Sequence, residues 1–192
     1  MKQWLYRFIF YRLLGWKITG KIDSSVKKCV LMVIPHTSWH DFFLGIFTRG
    51  ITGVEMNFVG KKELFGFPLG WYFRWMGGAS LDRTGGLNKV DSIAAIFDEK
   101  DVFRMAISPE GTRKKVTELK TGFYYIALKA QVPIIPVAFN FGQKEVQLGN
   151  PFFPTGNLEN DLKVLMPHFE NVKGKVPENS FEFRPIDSSN LI

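Results

Sequence analysis

The strongest constraint on the fold is an uninterrupted apolar run at residues 29–34, which ends at Pro35. Six consecutive apolar residues are typical of a strand that is buried on both faces, as in a parallel sheet covered by helices. Pro35 favours an extended conformation at Ile34, and Ser38 followed three residues later by Asp41 predicts the start of a helix. The run therefore predicts a buried strand, a short loop and a helix.

Two imidazoles and a carboxylate lie within this loop and helix start: His36, His40 and Asp41. Side chains five residues apart inside one helix point about 140° apart and cannot touch. A histidine just ahead of the helix can be reached, because helical side chains lean toward the N-terminus. We therefore place His36 in the loop and predict a His36–Asp41 pair. Such a pair would lie at the carboxyl end of the strand, where ligands usually bind in open α/β sheets.

A second apolar strand is predicted at residues 102–107, and the sequence Ser-Pro-Glu-Gly-Thr-Arg follows it at 108–113. Gly111 allows a tight backbone path in this loop. Arg83 stands at the end of another predicted short strand. A guanidinium can hold two phosphate oxygens through parallel hydrogen bonds, so Arg83 and Arg113 together form a candidate phosphate clamp. Each arginine taken alone is more typical of a surface charge.

The remaining pattern predicts alternating helices and strands. We expect helices at 41–49, 87–100, 119–130 and 158–172, and a further strand at 54–59. Pro133 and Pro136 interrupt the extended run 132–139 and so predict an edge strand or a bulged strand. The expected fold class is α/β, a single domain with a mostly parallel or mixed sheet flanked by helices, which suits a chain of 192 residues.

Residues 1–22 are basic and rich in aromatic side chains. Cations at positions 2, 7, 12 and 17 interrupt every apolar run, so we expect neither a transmembrane helix nor a secretory signal. Rings such as those of Trp4, Phe8 and Trp16 beside these cations are typical of an amphipathic membrane-interface segment. A helix packed on the core is the alternative. Residues 23–192 then form the main domain.

Charge and cysteine content restrict the partners and the compartment. The chain has 25 Lys and Arg against 18 Asp and Glu, a formal charge of +7, which favours an anionic partner such as phosphate, an acidic membrane surface or nucleic acid. The single cysteine, Cys29, lies in the apolar run, so a buried structural thiol is expected and no disulfide can form within the chain. This pattern suits a reducing compartment.

Four blocks of the sequence, taken in order, resemble the glycerolipid acyltransferase family, which includes the lysophosphatidic acid acyltransferases. They are His-Thr-Ser-Trp-His-Asp at 36–41, Gly-Ala-Ser-Leu-Asp-Arg at 78–83, Ser-Pro-Glu-Gly-Thr-Arg at 108–113 and Val-Pro-Ile-Ile-Pro at 132–136. A histidine and an aspartate at this spacing are a weak signal by themselves, whereas four blocks in the family's order are a strong one.

The resemblance implies that His36 is a general base, that Asp41 orients it and that the acyl acceptor, commonly a glycerol phosphate, binds near the second and third blocks. The substrate-binding residues that it indicates are Arg83, Glu110, Gly111, Thr112, Arg113 and Pro136. The expected donor is acyl-CoA or acyl-carrier protein, and the expected acceptor is the hydroxyl of a lysophospholipid such as 1-acylglycerol 3-phosphate. We expect no cofactor, no metal and no nucleic acid partner.

The chemistry of such a reaction requires only one base. The thiolate of a thioester leaves readily because its parent thiol has a pKa of about 8.5, whereas the attacking alcohol must lose its proton. Imidazole backed by a carboxylate can take that proton without a covalent acyl-enzyme. Residues 23–192 would then form an acyltransferase domain, held by residues 1–22 at the cytoplasmic side of a membrane as a peripheral or monotopic protein.

Two other functions fit parts of the sequence. His36 and His40 have the i, i+4 spacing of a helical zinc site that Glu110 or Asp41 would complete, as in a zinc-dependent hydrolase. Pro35 and the lack of a glutamate directly after the first histidine weaken this alternative. A non-enzymatic basic lipid-binding module would explain the charge and the rings, but it leaves the His36–Asp41 pair without a role.

Overall fold

The computed structural model describes residues 3–61, 66, 68, 70–75, 77–81 and 89–182. The predicted phosphate-clamp residue Arg83 lies outside these residues. The described helices are α1 (Gln3–Arg7), α2 (His40–Thr52), α3 (Gly70–Trp75), α4 (Lys89–Glu99), α5 (Gly122–Lys129) and α6 (Leu158–Leu165). The described strands are β1 (Lys17–Thr19), β2 (Lys28–Ile34), β3 (Asn57–Lys61), β4 (Gly78–Leu81), β5 (Phe103–Ile107), β6 (Ile134–Asn140) and β7 (Glu145–Leu148).

These strands form one seven-stranded mixed sheet in the order β1-β7-β6-β2-β5-β3-β4. The five strands from β6 to β4 are parallel, whereas β7 runs antiparallel to β6 and pairs in parallel with β1. The α/β class and the mixed sheet flanked by helices are as predicted. Because β2 and β5 are parallel neighbours, the loops that follow them meet at one edge of the sheet.

Strand β2 divides the core into two layers. Val30, Met32 and Ile34 pack with α4, α5 and α6 on one face, and Cys29 and Leu31 pack with α2 and the N-terminal segment on the other. Burial on both faces explains why the sequence of this strand is apolar at every position rather than at alternate ones. Cys29 is fully buried, as predicted.

Helix α2 is longer than the helix predicted at 41–49. Gly53 ends it, with φ of 69° and an N–H that donates to Arg49 O at 3.0 Å. A left-handed residue at this position is the common way to end a helix, and glycine adopts it without strain. Gly50 stays within the helix, where the ring of Tyr6 lies against it and occupies the space of a side chain.

Of the two alternatives predicted for the run 132–139, the edge strand was wrong, because β6 lies in the interior of the sheet between β2 and β7. The pairing beside Pro136 is irregular, since Val137 pairs with Leu148 and Ile134 with Phe152. Pro136 O accepts a hydrogen bond from Gly149 N at 2.8 Å, and the ladder with β7 starts only at the next residue, Val137. Ile134 exchanges backbone hydrogen bonds with Phe152, so Pro136 lies at an interruption in the antiparallel pairing, a position that suits a residue without an N–H. The predicted helix at 158–172 also ends early, at Leu165, and continues as the 3-10 turn Met166–Phe169.

The N-terminal segment packs on the core and also exposes large apolar side chains. Helix α1 continues as a π-helical turn, Phe8–Leu13, and Phe10 is fully buried against Phe47 and Trp16. Exposed apolar side chains of the segment are Trp4, Phe8, Leu13 and Leu14. None of the described helices has the length and the apolar character needed to cross a membrane.

Arg104 is a buried cation that the sequence patterns did not single out. Its side chain lies at the start of β5, and the residue is only 5% exposed. The guanidinium donates to Val26 O at 2.7 Å and to Ser24 O at 3.2 Å, and the Arg104 N–H donates to the side chain of Asn57. It therefore ties the loop before β2 to β5.

We predict that Arg104→Met lowers the free energy of unfolding by about 2–4 kcal/mol, because the buried Arg104 side chain loses its charged hydrogen bonds to two partly buried carbonyl groups. Chemical denaturation followed by circular dichroism measures the change. The exposed Lys21→Met is the control and should change stability by less than about 0.5 kcal/mol. Equal effects of the two substitutions would contradict the structural role of Arg104.

Candidate active site

His36 and Asp41 are in direct contact at the carboxyl end of β2. His36 lies in the loop between β2 and α2, Asp41 lies in the first turn of α2, and His36 Nδ1 is 2.9 Å from Asp41 Oδ2. The Ser38 N–H donates to the same carboxylate oxygen at 3.0 Å. The Asp41 side chain is 2% exposed and that of His36 28%. With the proton assigned to Nδ1, the ring is oriented by the buried carboxylate and Nε2 is left as a base.

Glu110 links the two motif loops. The His36 N–H donates to Glu110 Oε2 at 2.5 Å, and the Ser108 hydroxyl donates to the same oxygen at 3.2 Å. The residue is 2% exposed, and its burial raises the pKa of the carboxyl above its ordinary value. Glu110 was predicted to bind substrate, yet one of its oxygens holds the backbone of His36.

Two buried carboxylate oxygens beside His36 have no hydrogen-bond partner among the described residues. They are Asp41 Oδ1 and Glu110 Oε1. A buried polar atom without a partner is costly. Asp41 is among the residues that line the cavity beside His36, whereas Glu110 is not, and both oxygens are enclosed by the described chain.

A cavity of about 760 Å³ opens beside the pair, and His36, Asp41, Ser108 and Arg113 all line it. It extends along α2 to the N-terminal helix, and its wall is mostly apolar. Apolar lining residues include Leu31, Val33, Phe42, Ile46, Val54, Met56, Phe58, Val137 and Phe139. Polar lining residues away from His36 are Gln3, Thr48, Arg49, Glu55 and Asn57. A cavity of this size with a largely apolar wall suits a long apolar ligand whose reacting group lies beside His36.

The other predicted substrate-binding residues do not all line this cavity. Arg113 is exposed and lines the cavity, and Gly111 has a φ of 64° with its Cα close to the side chain of Lys120. The Thr112 hydroxyl accepts from Lys114 N at 3.3 Å. Pro136 is buried in β6 and does not line this cavity. The clamp of Arg83 with Arg113 stays a prediction, because Arg83 lies outside the described residues.

The C-terminal segment contacts both motif loops, which the sequence did not indicate. The Val176 N–H donates to the Thr37 hydroxyl at 3.2 Å, next to His36. The Asn179 side chain donates to Arg113 O at 3.1 Å, and Lys115 Nζ donates to Ser180 O at 2.6 Å. These contacts join residues more than 60 positions apart, and a polar segment with prolines carries no local pattern that would reveal them.

His40 lies on the other side of the α2 N-terminus from the His36 cavity. Its Nδ1 is 2.8 Å from the Ser38 hydroxyl, its ring stacks on Trp39, and it lines a separate cavity. Within the described part of the chain, no group of three His, Cys, Asp or Glu side chains has a metal-binding arrangement. The zinc alternative needs both imidazoles at one ion, and their positions do not support that arrangement.

The fold and the site together define a class: α/β proteins with a parallel sheet core, a histidine–aspartate pair at a strand end and a long apolar cavity beside it. The family model described as Acyltransferase matches residues 16–140, more than half of the chain. The chain belongs to the acyltransferase family, and the resemblance seen in the four sequence blocks is confirmed.

Individual proteins in the comparisons agree with this assignment. The 1-acyl-sn-glycerol-3-phosphate acyltransferase of Saccharomyces cerevisiae is 29% identical over 153 residues, which cover 71% of this chain and 48% of the yeast protein. The enzyme of the same name from Haemophilus influenzae is 34% identical over 72% of this chain and 60% of its own length. The chain thus spans about half the length of the curated relatives it matches.

A solved structure shows the same fold. The crystal structure of the 1-acyl-sn-glycerophosphate (LPA) acyltransferase from Thermotoga maritima superposes with a TM-score of 0.58 at 20% identity. The match covers 86% of this chain and 75% of that protein. The shared architecture therefore extends over most of both chains.

We predict that Glu110→Gln removes a pH dependence of stability. The raised pKa means that the folded chain binds this proton more tightly than the unfolded chain, so the free energy of unfolding falls as pH rises from the ordinary value of 4.5 through the raised pKa. Glutamine keeps an acceptor for His36 N–H but does not titrate. Denaturation between pH 4 and 8 should show this fall in the free energy of unfolding in the wild type and in the exposed control Glu178→Gln, but not in Glu110→Gln. Parallel profiles for Glu110→Gln and the wild type would refute the assignment of the pH dependence to Glu110.

Proposed function

We propose that this chain is an O-acyltransferase that moves a fatty acyl group from acyl-CoA or acyl-carrier protein to the hydroxyl of a lysophospholipid, first of all 1-acylglycerol 3-phosphate. The observation that carries the proposal is the 2.9 Å contact between His36 and Asp41 beside a long cavity with a largely apolar wall. The names of the similar yeast and Haemophilus proteins support the choice of acceptor.

The proposed mechanism uses one base. His36 Nε2 takes the proton of the acceptor hydroxyl as its oxygen attacks the thioester carbonyl carbon, and Asp41 stabilises the imidazolium that forms. Collapse of the tetrahedral intermediate forms the ester and breaks the carbon–sulfur bond, and the proton passes from His36 to the departing thiolate. Cys29 is unsuited as a nucleophile, since it is fully buried and burial raises the pKa of its thiol to about 12.

Polar groups near His36 suit a glycerol phosphate. Glu110 stays a proposed contact of the acceptor hydroxyl: its Oε1 has no partner in the described chain, but Glu110 does not line the cavity, so this contact requires the loop at 108–113 to shift. Arg113 lines the cavity and supplies a guanidinium for the phosphate, with Arg83 as its proposed second half. Gly111 and Thr112 shape the loop that carries Arg113. Pro136 is buried in β6 outside the lining of this cavity, and its contact with the substrate stays a prediction.

The apolar cavity is assigned to the acyl chain. Helix α2 forms one wall, with Phe42, Gly45 and Ile46 facing the cavity, and Val137 and Phe139 of β6 form part of another. A fatty chain placed here would bring its carbonyl group to the end that His36 and Asp41 line. Burial of each methylene contributes about 0.8 kcal/mol, which supplies binding energy for a long chain.

We also propose that the chain works at the cytoplasmic side of a membrane, as a peripheral or monotopic protein. Exposed apolar side chains at the N-terminal end of α2, namely Trp39, Phe42 and Phe43, support a lipid surface as the partner rather than nucleic acid. Trp4 and Phe8 of the N-terminal segment add to this surface. The single buried thiol agrees with a reducing compartment.

The reaction is tested by the release of free thiol. We expect release from an acyl-CoA or acyl-carrier-protein thioester only when a lysophospholipid acceptor is also present, and a loss of about 10²- to 10⁴-fold in His36→Ala. This substitution keeps the backbone N–H that bonds to Glu110, so it leaves the loop connection intact. Full activity of His36→Ala would refute the base assignment. No release with any acceptor of a broad panel would favour the lipid-binding module.

We predict that Gly45→Leu shortens the acyl chains that the protein accepts. Gly45 lines the cavity, and a Cβ placed there meets no atom within 4 Å, so the new side chain fills cavity space without displacing the backbone. Transfer of palmitoyl groups should fall by at least tenfold, while transfer of octanoyl groups is kept. Gly45→Ala is the matched control, and it should retain palmitoyl transfer and stabilise the helix by about 0.5–1 kcal/mol. An unchanged chain-length profile in Gly45→Leu would place the acyl chain elsewhere.

A further inference from the structure

A second cavity lies on the opposite side of α2 from the proposed acyl site. Its volume is about 430 Å³, and His40, Phe43 and Phe47 of α2 face it, whereas Phe42 and Ile46 face the first cavity. The proposed reaction uses none of these groups. A volume of this size is within the range of sites that bind small ligands.

Cations line one side of this second cavity, and no described acidic residue lines it. The cations are Lys144, Lys173 and Lys175, all of them exposed. Lys144 Nζ donates to Leu14 O at 3.2 Å, and Lys175 Nζ lies 5.9 Å from the centre of the Phe141 ring. The N–H of Phe141 donates to Lys173 O at 2.8 Å, which fixes the two basic segments relative to each other. Three ammonium groups around one cavity favour an anionic ligand.

Apolar side chains form the other side of the cavity and continue onto the surface. Leu14, Trp16, Phe43 and Phe141 line it, and Leu14 and Phe43 are also 42% and 45% exposed. The exposed ring of Trp39 contacts Phe43 edge to face at 5.3 Å. The surface therefore combines an apolar patch with adjacent lysines, an arrangement that matches the acyl boundary and the anionic head groups of a membrane.

We propose that this second cavity, lined by the three lysines, binds the head group of an anionic phospholipid of the bilayer, a lipid that is not a substrate. The phosphodiester lies among the three ammonium groups, and the first methylenes contact Leu14 and Phe43. An acidic protein surface would satisfy the lysines but would leave the apolar side of the cavity and Trp39 in water. A bound lipid contacts the lysines through its head group and covers the apolar side of the cavity with its methylenes. Ser38 bonds to both His40 and Asp41, so the lipid site adjoins the His36–Asp41 pair. A lipid bound there would set the orientation of the His36–Asp41 pair relative to the membrane.

The proposal is tested by vesicle binding without donor or acceptor, so the outcome does not depend on the proposed reaction. Lys144→Gln/Lys173→Gln/Lys175→Gln should reduce binding to vesicles of phosphatidylcholine with 30% phosphatidylglycerol by about 100-fold and leave binding to pure phosphatidylcholine unchanged. Lys21→Gln/Lys27→Gln/Lys100→Gln removes the same charge at the opposite end of the sheet and should reduce binding less than threefold. Equal losses in both triple variants would indicate diffuse attraction and overturn the proposal.

A soluble probe separates a lipid site from other anion sites. Dihexanoyl phosphatidylglycerol below its micelle concentration should shift the amide NMR signals of Gly142, Lys144 and Gly174 in the wild-type chain. The variant Lys173→Gln/Lys175→Gln keeps the Lys144 contact to Leu14, so it preserves the fold and should lose these shifts. Equal shifts with inorganic phosphate, or shifts with coenzyme A and none with the phospholipid, would assign the cavity to a free anion or to the acyl donor and would overturn the proposal.

Discussion

The parallel pairing of β2 with β5 is the constraint on which the site depends. It places the loop after β2 beside the loop after β5, and the hydrogen bond from His36 N–H to Glu110 then joins them. Asp41 reaches back from the first turn of α2 to the His36 ring, so the imidazole is held through its backbone by one carboxylate and through Nδ1 by another. The strands fix the backbone of the site, and the two carboxylates fix the orientation of the ring.

The burial of Glu110 beside His36 has two opposite consequences for the folded chain. Burial raises the pKa of Glu110, which costs stability at neutral pH, yet the same burial makes its contact to His36 strong and excludes water from it. Asp41 is equally buried but receives the His36 ring and the Ser38 N–H. Each carboxylate keeps one enclosed oxygen without a partner among the described residues, which lowers the stability of the folded chain. The other oxygen of each carboxylate holds His36 in place.

The sequence predicted the elements that depend on local patterns. The apolar run gave β2, the helix-start signal at Ser38 placed His36 in the loop and Asp41 within reach, and the four ordered blocks gave the family. Features that depend on long-range pairing were missed. The interior position of β6 follows from its pairing with β2 on one side and β7 on the other. The buried role of Arg104 follows from two distant carbonyl groups, and the C-terminal segment contacts Thr37 and Arg113 across the chain. No local periodicity of the sequence predicts such contacts.

The central claim, that Asp41 acts through His36 as the base of acyl transfer, is tested most directly by a double-mutant cycle. Rates of thioester-dependent transfer would be measured for His36→Ala, Asp41→Asn and the double variant. Because the two residues act as one unit, we predict a loss of about 10²- to 10⁴-fold for His36→Ala and no further loss when Asp41→Asn is added. Losses that multiply in the double variant would show that the two side chains act independently, which would contradict the account.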